Sequence, residues 1–281
     1  MKTSLLSALV LVFSTAAWAD DPKPPPPLKI PSDAECMALA APKTPLSFGP
    51  GEVLEYDLDA MGATAGKLTL TVLHEKDGAL PVEAHAQTNT FFSKVRRVNG
   101  TATSYLNPKT LRPVRYTEDT VENEVAKYAD VAFQQKARSA ALSYKVADRA
   151  GSENFRYAND GLDVAGAIYL LRQIPLKQDA GICFDAYGIR KMWRVFGKVE
   201  GKEHISSKVG EFDAWHLSGV AVRRDMPSMR RDIHIWISDD GKRLPLVAVG
   251  AIDLGAVRAT LVSYSRPDGS KKAEGKESLK W

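Results

Sequence analysis

A period of two in the hydrophobic residues is what most constrains this chain. Across residues 231–264, Ile233, Ile235 and Ile237 alternate with Asp232, His234, Trp236 and Ser238. Successive side chains of a strand point to opposite faces, so this alternation marks a strand with one buried face. Asp239-Asp240-Gly241 follows as a turn signal. Residues 244–250 and 255–264 then read as two more strands. The same pattern recurs upstream. Leu54, Tyr56 and Leu58 alternate with acids, and Leu68, Leu70 and Val72 alternate with Lys67, Thr69 and Thr71. Residues 82–90, 101–106, 113–117, 127–133, 140–146, 182–187, 192–199, 203–207 and 212–222 also read as strands, and 91–95 as a short helical or irregular link. One segment departs from the pattern. Asp160-Gly161-Leu162-Asp163 reads as a helix start, and Val164, Ala167, Ile168 and Leu171 fall at helical spacing until Pro175. The fold class expected is mainly β: one long curled antiparallel sheet, open or closed like a barrel, with a single helix packed on or in it. Two packed β lobes are the alternative.

The first nineteen residues set the compartment. Lys2, an apolar run from Leu5 to Phe13 and Ala17-Trp18-Ala19 make a secretory signal peptide cut after Ala19. The run is too short to span a bilayer, and no later run is long and apolar enough to do so. No cysteine stands at the cleavage point for a lipid anchor. The mature chain is expected to be soluble in a periplasm. The organisation expected is 1–19 signal peptide, 20–47 proline-rich arm, 48–265 β domain and 266–281 flexible tail. Four consecutive prolines, Pro24 to Pro27, favour an extended spacer. Ser32-Asp33-Ala34-Glu35 can cap a short helical turn running to Leu39. The tail is Gly, Ser, Lys and Glu with almost nothing apolar before Trp281. The whole chain carries 38 Lys+Arg against 34 Asp+Glu, a net charge of +4. So mild and dispersed a balance argues against nucleic acid as a partner.

Candidate chemistry is sparse. Cys36 and Cys183 are the only cysteines, and in an oxidising compartment an even pair reads as a disulfide joining the arm to the segment after the helix. His74, His85, His204, His216 and His234 show no metal-ligand spacing, so neither a metal nor a cofactor is expected. Asp239-Asp240 reads as a turn rather than a carboxylate pair. No nucleophile elbow and no phosphate loop occurs. An enzyme is therefore not expected. Leu54, Tyr56, Leu68, Leu70, Trp193, Trp215 and Trp236 are the candidates to line a cavity for an acyl chain or lipophilic peptide, unless they are simply core.

Several local patterns carry a resemblance. Gly51-Glu52-x-Leu54-x-Tyr56 opens the body, and Ala65-Gly66 follows. Asn107-Pro108-x-Thr110-Leu111-x-Pro113-x-x-Tyr116 lies mid-chain. Tyr169-Leu170-Leu171-Arg172 ends the helix, and Trp236-Ile237-Ser238-x-Asp240-x-x-x-Leu244-Pro245 comes near the close. In this order they resemble the DUF3108 family of exported Gram-negative envelope proteins, over nearly all of residues 48–264. That family commonly has an acidic residue where this chain has Asn107, and the cysteine pair is not part of its pattern. The family has no assigned chemistry. It is similar to curled sheets wrapped about a helix, akin to the lipoprotein carrier LolA, which implies a hydrophobic concavity as a binding surface.

Two functions follow as expectations. The first is a non-enzymatic periplasmic protein that binds a lipid, acyl chain or lipopeptide in the curled sheet, with residues 164–172 as plug or lid. The alternative is a structural or scaffolding envelope protein that meets a protein partner at the sheet edge or the proline arm, without a small ligand. An envelope hydrolase is a distant third.

Overall fold

The computed structural model describes residues 28–252 and 255–266. The expected signal peptide, the four prolines and nearly all of the tail lie outside the described residues. Fifteen strands follow one another. They are β1 (Val53–Ala60), β2 (Ala63–Val72), β3 (Leu80–Thr88), β4 (Val98–Leu106), β5 (Pro113–Glu122), β6 (Val125–Gln134), β7 (Ser139–Val146), β8 (Arg149–Arg156), β9 (Gly161–Asp163), β10 (Gly181–Gly188), β11 (Lys191–Ser207), β12 (Gly210–Arg223), β13 (Arg230–Ser238), β14 (Pro245–Ile252) and β15 (Gly255–Ser265). The helix α1 (Val164–Leu171) stands between β9 and β10.

All fifteen strands join one sheet in the order β8 to β1, then β15 down to β9. It is a meander whose first strand pairs with its last; the antiparallel neighbours that follow one another in the chain need only a short connection, and the parallel β9 and β10 are joined through α1. Every pairing is antiparallel except β9 with β10. The edges, β8 and β9, do not pair with each other, and the sheet is curled without closing. It overlaps itself at the seam. Gln135, in the β6–β7 turn, donates Nε2 to the carbonyls of Pro113 and Gly161, both at 2.8 Å, tying β5 to β9. Beyond that tie, Val131, Phe133 and Leu142 of the β6–β7 wing pack on Tyr187 and Met192 of β10 and β11.

The main core lies inside the curl. Register aligns Leu54 with Leu70 and Ala84, and Tyr56 with Leu68 and Ala86, so one face of β1–β3 is a continuous apolar wall. Tyr169, Leu170 and Leu171 of α1 pack into it. The helix sits close enough that a Cβ on Gly166 would lie 3.3 Å from Leu106. β10 is covered on both faces. Phe184 and Ala186 join the main core, while Tyr187 joins the seam core.

Some expectations are corrected. Residues 161–163 do not begin the helix but form β9. Asp163 alone is the cap, accepting the Gly166 amide at 2.8 Å. β5 runs on to Glu122, five residues further than the alternation shows, and 192–199 and 203–207 are one strand, β11, with a bulge between Val199 and Gly201. β8 carries no alternation that marks it in the sequence. Ser32 and Glu35 do form a reciprocal capping pair, Ser32 N to Glu35 Oε2 at 2.9 Å and Glu35 N to Ser32 Oγ at 3.3 Å, but it closes a single turn and no helix runs to Leu39.

Candidate functional site

The sequence patterns that lie apart in the chain meet in one buried cluster. Glu52 leads into β1, Arg172 ends α1, and both side chains are 0% exposed. Arg172 Nη1 donates to Glu52 Oε1 at 2.7 Å and Nη2 to Oε2 at 3.1 Å, a bidentate pair. Its Nε donates to the Arg243 carbonyl at 2.8 Å, and Arg243 Nε returns a bond to the Arg172 carbonyl at 3.0 Å. The Phe48 and Tyr169 rings flank the guanidinium at 5.0 and 4.8 Å. Tyr56 donates its hydroxyl to the Pro245 carbonyl at 2.9 Å. Arg266 Nε lies 3.3 Å from Glu52 as a second ionic partner. Burial alone would lower the Arg172 pKa, but Glu52 carries it above the ordinary arginine value. Burial also drives the Tyr56 hydroxyl pKa well up. Both shifts lie away from neutrality, so Arg172 stays charged and Tyr56 neutral there. Their chemistry is to lock α1, the start of β1 and the β13–β14 turn together.

A second network fastens the arm. Cys36 and Cys183 form the expected disulfide, across 147 residues of sequence. Asp185, on β10, accepts Arg194 Nε at 2.7 Å, Arg224 Nη1 at 2.6 Å and the Ala158 amide at 2.7 Å. Arg194 also donates to the Pro31 carbonyl at 2.6 Å. Further along the arm, Asp160 accepts the Leu39 amide at 2.5 Å and pairs with Arg112, whose Nη2 donates to the Leu39 carbonyl at 2.9 Å. Residues 28–47 therefore lie on the β domain, held at both ends.

A third cluster was not foreseen. β12 and β13 bring His216 Nε2 within 3.0 Å of His234 Nδ1, and Glu203 on β11 meets His216 Nδ1 at 2.7 Å. Trp236 stacks on His216 at 4.3 Å and donates Nε1 to Glu203 at 2.8 Å. The histidines lie eighteen residues apart, so only the strand register unites them. Two imidazoles and one carboxylate form a hydrogen-bonded chain. No group of three or more His, Cys, Asp or Glu among the described residues could hold a metal ion.

Six of the seven cavity candidates belong to the main core or pack against it. Leu54, Tyr56 and Leu70 are buried in the main core, and Leu68 packs beside them. Trp193 braces the β10–β11 turn through Nε1 to the Gly188 carbonyl at 3.0 Å. Trp215 bonds Asp239 at 2.6 Å, under Lys202. Alternation places Trp236 on the opposite face from Ile237, and thus from Trp215, its cross-strand partner. Two open grooves mark the surface. One, of about 180 Å³, lies beside Pro31, Asp33 and Arg194. The other, of about 570 Å³, lies between the β4–β5 and β6–β7 turns, with Val114, Phe133 and Gln135 in its walls.

A family model for DUF3108, a protein of unknown function, matches residues 55–262. No curated protein matches the chain. The beta-barrel-like protein of domain of unknown function DUF1849 from Brucella abortus aligns at TM-score 0.54 with 9% identity, covering 78% of this chain and 98% of its own. That likeness is one of fold alone. A candidate lipoprotein of Parabacteroides distasonis aligns at TM-score 0.34 with 10% identity over 80% of this chain and 100% of its own. A candidate exported protein of Bacteroides fragilis with a YmcC-like fold aligns at TM-score 0.31 with 7% identity over 82% and 100%. At those scores neither carries an argument. No helix of the described residues is long and apolar enough to cross a membrane.

Proposed function

The chain belongs to the DUF3108 family, whose function is not established, and from that premise we propose that it is an exported, non-catalytic structural protein of the cell envelope that works through protein contacts. The observation that carries this reading is the filled concavity. α1 and the wall of Leu54, Tyr56 and Leu70 pack against each other where a carrier would keep its ligand. The export signal at residues 1–19 and the Cys36–Cys183 disulfide support a periplasmic setting. β8 is the contact edge. It pairs with β7 alone, and its outer row of amides and carbonyls is open to a strand from a partner.

A lipid-carrier reading keeps one foothold, the groove of about 570 Å³ beside Val114 and Phe133. One preparation tests both readings. Mature protein purified from a periplasm is weighed by native mass spectrometry and then extracted with organic solvent, and a photo-crosslinker at Asn154 of β8 is activated in parallel. A bare protein mass and a single stoichiometric crosslinked partner are expected. A stoichiometric co-purifying lipid with no crosslink overturns the structural reading in favour of the carrier.

A further inference from the structure

The end of the sheet away from the Glu52–Arg172 cluster breaks the usual placement of apolar residues. Met61, in the β1–β2 turn, is 71% exposed, Phe91 68% and Val95 60%. Val121 and Val125 are exposed where β5 turns into β6. These positions lie on three adjoining connections. Asn89 donates its amide to the Ala65 carbonyl at 2.8 Å, tying the β3–β4 connection to β2 just after the β1–β2 turn. Arg97 N donates to Asn123 Oδ1 at 2.8 Å, and Asn123 N to the Arg97 carbonyl at 2.9 Å, tying it to the β5–β6 turn. Phe92, next to Phe91, is buried against Ala60 and Ala65 and anchors the connection. The outward side chains are thus held out by an ordered base.

Cations are interleaved with them, as Phe91-Phe92-Ser93-Lys94-Val95-Arg96-Arg97. Arg96 and Lys127 pair with Glu122. Lys94 and Arg97 are exposed and make no ion pair with a described residue. The carboxylates on or beside these three connections are Glu122, neutralised by its two partners, Glu124 at the β5–β6 tip, and Asp59, which stands opposite Arg258 in register, with Asp148 on the neighbouring β7–β8 turn. Apolar tips on convex turns, flanked by unpaired cations, match the interface of an anionic bilayer. Apolar side chains enter the headgroup–acyl boundary there, and Lys and Arg meet phosphates.

We propose that this end docks the protein on an anionic lipid surface, with Met61, Phe91 and Val95 inserted and Lys94 and Arg97 on lipid phosphates. The proposal does not depend on a ligand in the concavity or on a partner at β8, so it stands or falls separately from the structural role above. The test is vesicle flotation of the full mature chain, using phosphatidylethanolamine vesicles with about 30% phosphatidylglycerol against neutral phosphatidylcholine vesicles. Partition is expected on the anionic vesicles only, and is expected to weaken in high salt. Phe91→Ser with Val95→Ser, and separately Lys94→Glu with Arg97→Glu, are each expected to cut partition about tenfold or more. Lys76→Glu with Lys109→Glu, on the β2–β3 and β4–β5 connections at the other end, makes the same charge change elsewhere and is expected to leave partition unchanged. Circular dichroism and an unchanged Tm establish that the variants are folded. No partition by the wild type overturns the proposal, as does equal loss with Lys76→Glu and Lys109→Glu together, which means net charge alone drives binding. Capture of a protein by a crosslinker at Phe91, without vesicle binding, overturns it in favour of a protein partner.

Discussion

The two ends of β1 are opposites. Before its first residue, Glu52 buries a charge; one residue past its last, Met61 exposes a thioether. At the first end the buried charges are paired. Glu52 has Arg172 and Arg266, Arg172 has two carbonyls and two aromatic faces, and Tyr56 has Pro245. At the second, apolar groups stand in water with cations beside them. Burying charge costs several kcal/mol per ion before pairing, so a buried pair is kept for what it holds in place. Exposing Phe and Val forfeits burial, so it too needs a reason outside the fold. One end is explained by the protein's own stability and the other by a surface it meets.

The largest effect that tests this contrast is expected at Glu52. Glu52→Ala leaves Arg172 without its carboxylate in a buried site, and the expected loss is about 3–5 kcal/mol in chemical denaturation. Replacing Glu52 and Arg172 together by Gln and Met should recover part of that loss. If the single variant loses under about 1 kcal/mol, the cluster is not the lock described.

Next comes the disulfide. Cys36→Ser with Cys183→Ser frees a loop spanning 147 residues, and about 2–4 kcal/mol of stability is expected to go. The arm keeps Arg194 and Arg112 as anchors, so the variant is expected to fold, with faster proteolytic cleavage within residues 28–47 as the readout. Cleavage at the wild-type rate would mean the polar anchors suffice.

Asp163 gives a pH-dependent effect. Burial pushes its pKa up to about 6, against the bonds from Gly166, Ser104 and other amides that favour the charged form. The native state then binds more protons than the unfolded state between about pH 4 and 6, so stability falls as pH rises through that window and is level above it. The amplitude is about 2–3 kcal/mol at most. Asp163→Asn can keep the cap and the Ser104 contact but does not titrate, so the slope from this site should vanish. A slope unchanged in that variant assigns it to other groups.

Most of the sheet was legible because period-two alternation reports one buried face directly, as in β1, β2 and β13. Four features escaped it. β8, Arg-Ala-Gly-Ser-Glu-Asn-Phe-Arg, is an edge with Phe155 as its one large apolar residue, and an edge need not bury a face. β9 is three residues long and pairs in parallel, so Asp160-Gly161-Leu162-Asp163 carries a helix-start signal although only Asp163 caps. The Glu52–Arg172 pair is 120 residues apart in sequence. The one local hint was a charge at the end of an otherwise apolar helix. The His216–His234–Glu203 chain depends on cross-strand register, which the β11 bulge shifts by one residue, and no spacing rule reaches it. The surroundings of Trp193, Trp215 and Trp236 are hidden from the alternation for a related reason. Each has a polar partner for its indole N–H, and those partners are set by turns and neighbouring strands rather than by the residue type.

The smallest expected effect on stability is the sharpest test of the contrast, because it sits beside a large one. Phe91 and Phe92 are consecutive and chemically identical, and only the fold distinguishes them. Phe92→Ala removes an anchor packed on Ala60 and Ala65, and about 3 kcal/mol or more is expected to be lost. Phe91→Ala removes an exposed ring, and the expected change is within about 0.5 kcal/mol. On anionic vesicles the order should hold only partly. Phe91→Ala is expected to lose partition at wild-type stability, whereas Phe92→Ala should lose partition only in proportion to its unfolding. Equal stability losses at the two positions would mean that Phe91 is packed in solution, and the open end of β1 would then be an extension of its core rather than a docking surface.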